Sequence, residues 1–155
     1  MSNNKIYEIN KLLDKEFNLL ANNGQKSYYK QIKIEDLRII VKDIDSLIHA
    51  LYQLDFKEAG KRCRKQYIPL LNIVIEKEST NIEQQAINLK RLEEAIRISA
   101  RTNFEDFVRY YEWEEEDKFF EPRYSVLSAY AYYLNRMVFD ENFNLLIVNL
   151  PSRNR

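Results

Sequence analysis

Residues 34–54 carry the pattern that most limits what this chain can fold into. Apolar residues recur there at intervals of three and four, the spacing that places side chains on one face of an α-helix. They are Leu37, Ile40, Val41, Ile44, Leu47, Ile48, Leu51 and Leu54. The whole chain of 155 residues contains two glycines and three prolines. With so few residues that break helices, the sequence predicts a fold built mainly from long α-helices.

Two neighbouring segments extend this helical pattern. Residues 4–22 are predicted to form a helix that stops at Asn23 and Gly24, a typical C-terminal signal. Residues 55–78 are predicted to continue as a helix of mixed character. Pro69 lies inside that segment and must kink or end the helix, because proline lacks the backbone N–H and its ring clashes with the preceding turn.

The second half of the chain carries three more helix-start signals. Thr80 and Glu83 fit a capping box for a helix that runs to about residue 96. Asn103 is a predicted N-cap for a helix over residues 103–117, and Pro122 suits the first turn of a last helix. The inward-facing residues predicted for these three helices are Ile82, Ala86, Leu89, Leu92, Ile96; Phe104, Phe107, Val108, Tyr111, Trp113; and Val126, Leu127, Tyr130, Leu134, Val138.

The C-terminal segment 142–155 has a different pattern. The continuous apolar run 145–148, flanked by Phe143 and Leu150, is typical of a strand buried on both faces of an α/β sheet. The predicted architecture is therefore mainly α, with six or seven helices followed by one C-terminal strand that would begin an α/β sheet. A buried strand needs partner strands, so we expect these residues to be the front end of a longer protein. Left alone, the strand edge can pair with a second molecule.

The charge balance limits the partners that the chain can bind. Lys plus Arg and Asp plus Glu both number 24, which excludes a bulk polyanion-binding surface but leaves room for a local patch. A basic cluster does occur on the predicted helix 55–78, and it could contact nucleic-acid phosphate or an acidic partner. The competing interpretation is an ordinary solvated helix face. The cluster consists of Lys57, Lys61, Arg62, Arg64 and Lys65.

No set of side chains in the sequence completes an active site. The acidic residues of 112–117 follow one another too closely to converge on one ion, so we predict no metal site. His49 has no convincing ligand partner and is interpreted as structural or surface-exposed. Cys63 has basic neighbours that could lower its thiol pKa, but no partner that would make it a nucleophile. A single cysteine, no signal peptide and no membrane-length apolar run together predict a soluble intracellular protein.

Residues 104–155 taken in order resemble the large subunits of phage terminases, the ATP-driven motors that package viral DNA. The order is FEDFVRYYEW, then KFFEPRYSVL, a helix, and NLLIVNLPSRNR. In that family a strand runs into a phosphate-binding loop of the form N-L-P-P-R-x-G-K-[ST]. Asn149, Leu150, Pro151 and Arg153 match this loop, whereas Ser152 replaces the second proline and the glycine position holds an arginine, the last residue of the chain.

The resemblance implies roles for particular residues. Pro122, Arg123 and Tyr124 would lie near the adenine of a bound nucleotide. The loop residues Pro151, Ser152, Arg153, Asn154 and Arg155 would line the triphosphate. Arg153 matches the arginine thought to sense or stabilise the γ-phosphate, which suits a guanidinium facing developing negative charge. ATP and Mg²⁺ would be cofactors of the full-length protein, and neither is expected to bind tightly to this chain alone.

The leading hypothesis is therefore the N-terminal region of a terminase large subunit in a phage-infected bacterial cytoplasm. Residues 1–102 would form a helical adapter, and residues 103–155 would lead into a truncated nucleotide-binding domain. The implied partners are the small terminase subunit, the portal and viral DNA, with no membrane. The full-length protein would be an ATPase and endonuclease, whereas this chain alone would be inactive. The alternative is a self-contained all-α protein–protein interaction module without enzymatic activity.

Overall fold

The structure, a computed structural model, describes residues 2–20, 32–143 and 145–147. Its elements confirm the mainly helical prediction. In chain order they are α1 (Ser2–Leu20), α2 (Ile34–Leu54), α3 (Phe56–Arg62), a π-helical turn (Cys63–Tyr67), α4 (Ile68–Lys77), α5 (Ile82–Ala100), α6 (Phe104–Tyr111), a 3₁₀ turn (Glu121–Arg123) and α7 (Tyr124–Phe139). Because α3, the π turn and α4 follow one another directly, they form one continuous helical rod with a π turn in its middle.

Helix α2 lies at the centre of the hydrophobic core. The periodic residues that its sequence placed inward include five that are fully buried, which confirms the predicted helix and most of its face. They are Leu37, Val41, Ile44, Ile48 and Leu51. The same hydrophobic cluster also contains Leu13 and Phe17 of α1, Leu70, Leu71 and Val74 of α4, and Leu92, Ile96 and Ile98 of α5. The core is therefore shared by α1, α2, the rod 56–77 and α5.

The π turn is how the chain accommodates Pro69. Proline at this position cannot donate to the carbonyl of Lys65 four residues earlier, and its ring would clash with that carbonyl in a regular α-helix. The wider turn, in which the Ile68 N–H donates to the Cys63 carbonyl, directly precedes the proline. The predicted break at Pro69 therefore takes the form of a π turn inside a continuous rod.

Helices α3, α5 and α6 begin after a short polar side chain that accepts from a helical N–H. The Asp55 carboxylate accepts from the Glu58 N–H at 3.1 Å and begins α3. The predicted capping residue Thr80 is wrong, because the N-cap of α5 is Asn81, whose side chain accepts from the Gln84 N–H at 3.1 Å. The amide oxygen of Asn81 reaches the third helical N–H, so a threonine one residue earlier is not needed.

A buried carboxylate connects three elements on one side of the core. Glu78, which follows α4 and is 3% exposed, accepts from Arg38 Nε of α2 at 2.7 Å. Its other oxygen accepts from the side-chain amide of Asn88 on α5 at 3.2 Å, and Asn88 is itself buried. The ion pair with Arg38 raises the pKa of that guanidinium, chiefly through the hydrogen bond. Glu78 thereby supplies an acceptor to the buried Asn88 amide of α5 and links it to the partly exposed Arg38 of α2.

Helices α6 and α7 are much less buried, and here several sequence predictions are wrong. Helix α6 ends at Tyr111 rather than near residue 117, and the predicted inward residues Tyr111 and Phe107 are 74% and 50% exposed. The side chain that α6 buries most deeply is Asp106, which accepts from Ser99 Oγ of α5. The predicted inward residues Val126 and Val138 of α7 are also exposed, at 63% and 72%. Helix α7 instead buries Ala131.

The predicted C-terminal strand lies partly outside the described residues. Of the apolar run 145–148, the structure describes residues 145–147, and these are neither helix nor strand. Leu145 and Ile147 are 69% and 79% exposed. The strand therefore stays a prediction, and so does the domain boundary between residues 102 and 103.

Candidate functional site at the junction of α6 and α7

The junction begins where α6 is fixed against its neighbours. Asn103 is the N-cap of α6, as predicted, and its side-chain oxygen accepts from the Asp106 N–H at 3.0 Å. The backbone N–H of Phe104, which has no partner within α6, donates to Asn135 Oδ1 of α7 at 2.9 Å. An orphan donor at the start of one helix is thus satisfied by the side chain of another, which sets how α7 lies beside α6.

Glu112 organises the turn between α6 and the 3₁₀ turn. Its carboxylate is nearly buried and accepts from the backbone N–H groups of Phe119 and Phe120, each at 3.0 Å. These bonds draw the chain back toward the end of α6, and the Phe120 ring, 3% exposed, fills the space beneath. This explains why the acidic run does not continue the helix. Residues Glu114, Glu115, Glu116 and Asp117 are exposed in the turn that results.

Arg109 separates two small clefts beside α6. Its guanidinium lies 3.0 Å from Glu105 Oε1 and 3.1 Å from Glu121 Oε1, and 5.2 Å above the ring of Tyr124. The pair with Glu121 is an ion pair only, since the buried Nε makes no hydrogen bond. One cleft, about 220 Å³, has an apolar floor that includes Trp113, and the other measures about 210 Å³. Carboxylates surround Arg109, so neither cleft favours an anion.

The turn before α7 forms an open groove. Its cavity measures about 590 Å³ and is lined by Glu116, Asp117, Lys118, Phe119, Glu121, Pro122 and Arg123. The Phe119 ring is 59% exposed, and the Arg123 guanidinium lies 4.3 Å from its centroid. Arg123 Nη1 also donates to the Phe119 carbonyl at 3.0 Å, which holds the guanidinium over the ring. The result is an exposed aromatic and cationic surface with an acidic rim.

The three residues predicted to lie near adenine are not all in the same place in the structure. Pro122 and Arg123 line the groove together, whereas Tyr124 turns toward Arg109 and packs edge-on against Phe120 at 6.0 Å. The remaining predicted nucleotide-binding residues, 151–155, lie outside the described residues. Phe119 and Arg109 were not identified from the sequence. No local signal could identify them, because their positions depend on the turn that Glu112 holds.

The basic cluster also divides into two groups. Lys57, Lys61 and Lys65 are exposed, and Lys61 and Lys65 line a shallow groove of about 280 Å³ with Arg62, Glu58 and Gln66. Arg62 is largely enclosed by its own contacts: Nη1 lies 2.6 Å from Asp14 Oδ1, and Nε lies 3.1 Å from Asn10 Oδ1. Arg62 therefore fastens α1 to α3, and three lysines remain as a solvent-facing basic surface.

Arg64 points the opposite way, into the end of α5. Its Nη1 donates to Thr102 Oγ1 at 2.8 Å and to Ser99 Oγ at 3.2 Å, and Ser99 in turn donates to Asp106. Burial lowers the pKa of Arg64, and the nearby Asp106 carboxylate partly opposes that effect. Gly60 makes room for this network, because a Cβ there would lie 2.8 Å from Thr102 Oγ1. Arg64 is a structural residue in this arrangement.

Cys63 and His49 have environments that the sequence did not indicate. Cys63 is fully buried, and desolvation raises its thiol pKa to about 12, against the smaller lowering effect of Arg64. The expectation that basic neighbours lower this pKa is therefore wrong. His49 Nε2 lies 3.6 Å from Asp45 Oδ1, and the same oxygen accepts from the Tyr67 hydroxyl at 2.6 Å. Burial raises the pKa of Tyr67, so that hydroxyl stays a donor.

The described residues contain neither a membrane-spanning helix nor a cluster of metal-binding side chains. Within residues 2–20, 32–143 and 145–147, no helix has the length and apolar character needed to cross a membrane. The same residues contain no group of three or more His, Cys, Asp or Glu side chains placed to hold a metal ion. No protein-family model matches the chain, and no match was found among curated proteins or solved structures.

Proposed function

We propose that this chain is the N-terminal helical region of a phage terminase large subunit, the motor that packages viral DNA at the expense of ATP. In this proposal α1–α5 act as a helical adapter, and the turn before α7 lies on the adenine side of the ATP site. The observation that carries the proposal is the groove at residues 116–123, where an exposed aromatic ring and a guanidinium lie in the segment that the resemblance assigns to adenine.

The chemistry of the groove suits a nucleobase better than a phosphate. Stacking of a base on an aromatic side chain contributes about 1–3 kcal/mol, and a neighbouring guanidinium adds to it. The Phe119 ring offers such a surface, whereas Glu116, Asp117 and Glu121 on the rim repel a triphosphate. The phosphates and Mg²⁺ would instead be bound by the loop 149–155 and by a Lys and a Ser or Thr after it. Weak binding of the base alone is therefore expected from residues 2–147.

The second part of the proposal concerns the exposed lysines of the rod. Lys57, Lys61 and Lys65 form the surface at which the adapter would contact DNA phosphate, the portal or the small subunit. Arg62 and Arg64 take no part, since their guanidinium groups are bound within the fold. Three lysines make a modest site, so its affinity for DNA should fall steeply as salt is raised.

The most direct test of the proposal is the gene sequence downstream of codon 155. We expect a Lys followed by Ser or Thr at once, and an acidic strand motif further on. A stop codon directly after Arg155 would remove the terminase interpretation and leave the helical interaction module.

A second test measures binding of the base to the chain itself. The ¹⁵N-labelled chain is titrated with AMP, and ribose 5-phosphate serves as the control ligand. We expect amide shifts confined to residues 116–124 with AMP alone, and weaker shifts in the Phe119→Ala variant. Phe107→Ala, which removes a comparably exposed ring on α6, is the matched control. Shifts that survive Phe119→Ala, or none at millimolar AMP, would contradict the adenine-side role.

The lysine surface is tested by charge reversal at Lys57, Lys61 and Lys65 together. We expect binding to duplex DNA to weaken by about tenfold or more at low salt, since each lost phosphate contact reduces the electrostatic term. Reversal of the exposed lysines Lys11, Lys42 and Lys90 gives the same change in net charge and is the control. Equal loss in both variants would mean that net charge alone, and no particular surface, governs binding.

The alternative, an all-α interaction module without enzymatic activity, is favoured by a different observation. Helix α7 is apolar on most of its circumference and buries little, as expected of a docking element. This alternative predicts a cooperatively folded chain whose stability is unchanged when residues 143–155 are deleted. The terminase proposal predicts instead that deletion improves solubility, because an unpaired strand edge is removed. Steady ATP hydrolysis by the purified chain above a matched blank would contradict both.

A further inference from the structure

The cleft of about 220 Å³ beside α6 has both an apolar and a charged lining. Its charged lining comes from α6 and from the turn that follows this helix. Its apolar lining consists of Ile68, Leu92, Ile96 and Trp113. All four side chains belong to the hydrophobic core or pack against it, so this part of the cleft is held in place. Sites for drug-sized ligands measure about 300–1,000 Å³, so the cleft suits a smaller molecule.

The charged lining of this cleft carries one more negative charge than positive. Three carboxylates and two cations line it: Asp106, Glu112, Glu121, Arg109 and Lys118. A ligand with a single positive charge balances this lining, whereas an anion adds to the excess. Because the apolar side chains of the cleft strengthen the electric field of its charges, the lining selects for a cation.

Two of these carboxylates are nearly buried, and their hydrogen-bond donors within the described residues are uncharged. The Asp106 side chain is 10% exposed, and its Oδ2 accepts from the Ser99 hydroxyl. No described residue donates to its Oδ1: Arg109 Nη1 lies 4.0 Å away, and that guanidinium is already paired with Glu105. Glu112 accepts from two backbone N–H groups. Since a buried carboxylate is unfavourable without a compensating charge, a cationic donor beside Asp106 Oδ1 is stabilised.

The Trp113 ring is a second feature of the cleft that suits a cation. Among aromatic side chains, tryptophan attracts cations most strongly over its ring face. Lys118 Nζ lies 5.9 Å from the centre of this ring, so an ammonium group of the chain itself already makes the contact. Lys118 is exposed in the turn after α6. Because holding a long lysine side chain in one position costs conformational entropy, a ligand can displace it.

We infer that this cleft binds a small primary amine with a short apolar body. The ammonium group of the ligand donates to Asp106 Oδ1 and contacts the Trp113 ring, and the apolar body covers the remaining apolar lining. Lys118 leaves the ring when the ligand enters, because two cations beside one ring repel each other. The inference does not depend on the terminase proposal, since a nucleotide carries the opposite charge and is assigned to a different groove.

The first test uses the fluorescence of Trp113, the single tryptophan of the chain. Phenethylamine is the probe, and 2-phenylethanol and 3-phenylpropionate are control ligands with a similar body and a neutral or negative head. We expect a saturable change with phenethylamine, with a Kd of roughly 0.1–1 mM for so small a ligand. Both controls should bind at least about tenfold more weakly. No saturation at tens of millimolar phenethylamine, or equal binding of the alcohol, would overturn the inference.

The second test locates the ammonium group of the ligand. Asp106→Asn removes the charge but keeps an acceptor for Ser99, and it should weaken phenethylamine binding by about tenfold or more. Its preference for phenethylamine over 2-phenylethanol should also be lost, which a merely structural role of Asp106 would not cause. Glu115→Gln, at an exposed acidic residue, is the matched control and should bind like the unaltered chain. An Asp106→Asn variant that binds like this control would overturn the inference.

A further variant covers the case in which Asp106→Asn does not fold, as judged by far-UV circular dichroism. Glu121 also lines the cleft, and its side chain is 50% exposed, so Glu121→Gln should leave the helices intact. It removes one charge from the lining and one partner of Arg109, and it should weaken phenethylamine binding by about threefold. In that case, a Kd equal to that of Glu115→Gln would overturn the inference.

A third measurement tests the competition with Lys118. Lys118→Met removes the ammonium group from the Trp113 ring and increases the negative charge of the lining, so it should tighten phenethylamine binding by about threefold or more. Lys90→Met, at an exposed position of α5, makes the same change in net charge and is the control. Equal or weaker binding by Lys118→Met than by this control would overturn the placement of the ligand beside Trp113.

Discussion

Helices α2 and α7 are both rich in apolar residues, yet the fold treats them in opposite ways. Helix α2 buries five of these residues completely and presents polar residues such as Asp36, Lys42 and Asp43 to solvent. Helix α7 buries Ala131 and leaves large apolar side chains exposed along most of its length. The difference lies in the polar face. A helix with a polar face can leave that face in solvent, whereas a helix without a polar face needs another surface to cover it.

The largest expected difference between the two helices is in stability. Ile48→Ala in α2 should lower the free energy of unfolding by about 2–5 kcal/mol, because it leaves a cavity in a packed core. Met137→Ala in α7 should change it by no more than about 0.5 kcal/mol in dilute monomeric protein, because the side chain is half exposed. Urea unfolding monitored by circular dichroism measures both. A comparable cost for Met137→Ala would mean that α7 packs into the core more closely than its exposure indicates.

The next effect tests the polar connection that closes the core. Glu78→Ala removes the acceptor of Arg38 and of the buried Asn88 amide, and should cost about 1–3 kcal/mol of stability, mainly from the unsatisfied amide. Glu76→Ala, two residues earlier and exposed, should change stability by no more than about 0.5 kcal/mol. Thermal melting at low protein concentration compares the two. Equal melting temperatures would show that Asn88 finds another partner.

A smaller and more local effect on stability is expected in the turn between α6 and α7. Glu112→Ala removes the acceptor of the Phe119 and Phe120 amides and should destabilise the turn by about 1 kcal/mol, with the core unaffected. Hydrogen exchange should accelerate at those two amides, whereas amides of α2 keep their protection. Glu114→Ala, in the exposed acidic run, is the control. Faster exchange throughout α2 would mean that the two regions unfold as one unit.

The smallest effect at neutral pH concerns Cys63. Burial raises its thiol pKa from the ordinary value of 9.0 to about 12, so the folded state keeps a proton that the unfolded state loses. The stabilisation from this group is complete below about pH 9 and is lost as the pH rises from there through about 12. Relative to Cys63→Ala, the unaltered chain should therefore lose stability between pH 8 and pH 10, as measured by urea unfolding. A constant difference would indicate that the thiol ionises while folded.

Several features of the fold could be predicted from the sequence. The face of α2 was predictable because its apolar and polar residues alternate with one period. The N-cap Asn103 was predictable because capping depends on a side chain and the next few N–H groups. The inward residues of α6 and α7 were not, since α7 is apolar on several sides and α6 turns Asp106 toward Ser99. On α5, the predicted inward residues Ile82 and Leu89 are exposed as well. In such helices the period does not select a face.

The candidate site was predictable only in part. Pro122 and Arg123 line one groove, whereas Tyr124, the next residue, faces Arg109. The end of α6 at Tyr111 was missed because it depends on hydrogen bonds from Glu112 to residues seven and eight positions later. The basic cluster was treated as one surface because a regular helix was assumed through residue 65. Arg62 and Arg64 instead form specific contacts with α1 and α5, which spacing alone could not reveal.

The π turn at Cys63–Tyr67 sets the rotation of α3 relative to α4 about the rod axis. A single residue added to an α-helix rotates everything beyond it by about 100°, and a π turn is the form that such an addition takes. Deleting one residue from this turn would rotate α3 against α4 by that angle and would bring back the clash of Pro69 with the preceding turn. Arg62 would swing away from Asn10 and Asp14, and α1 would lose its fastening to the rod. The direction in which the three lysines face is thus set by the length of one turn.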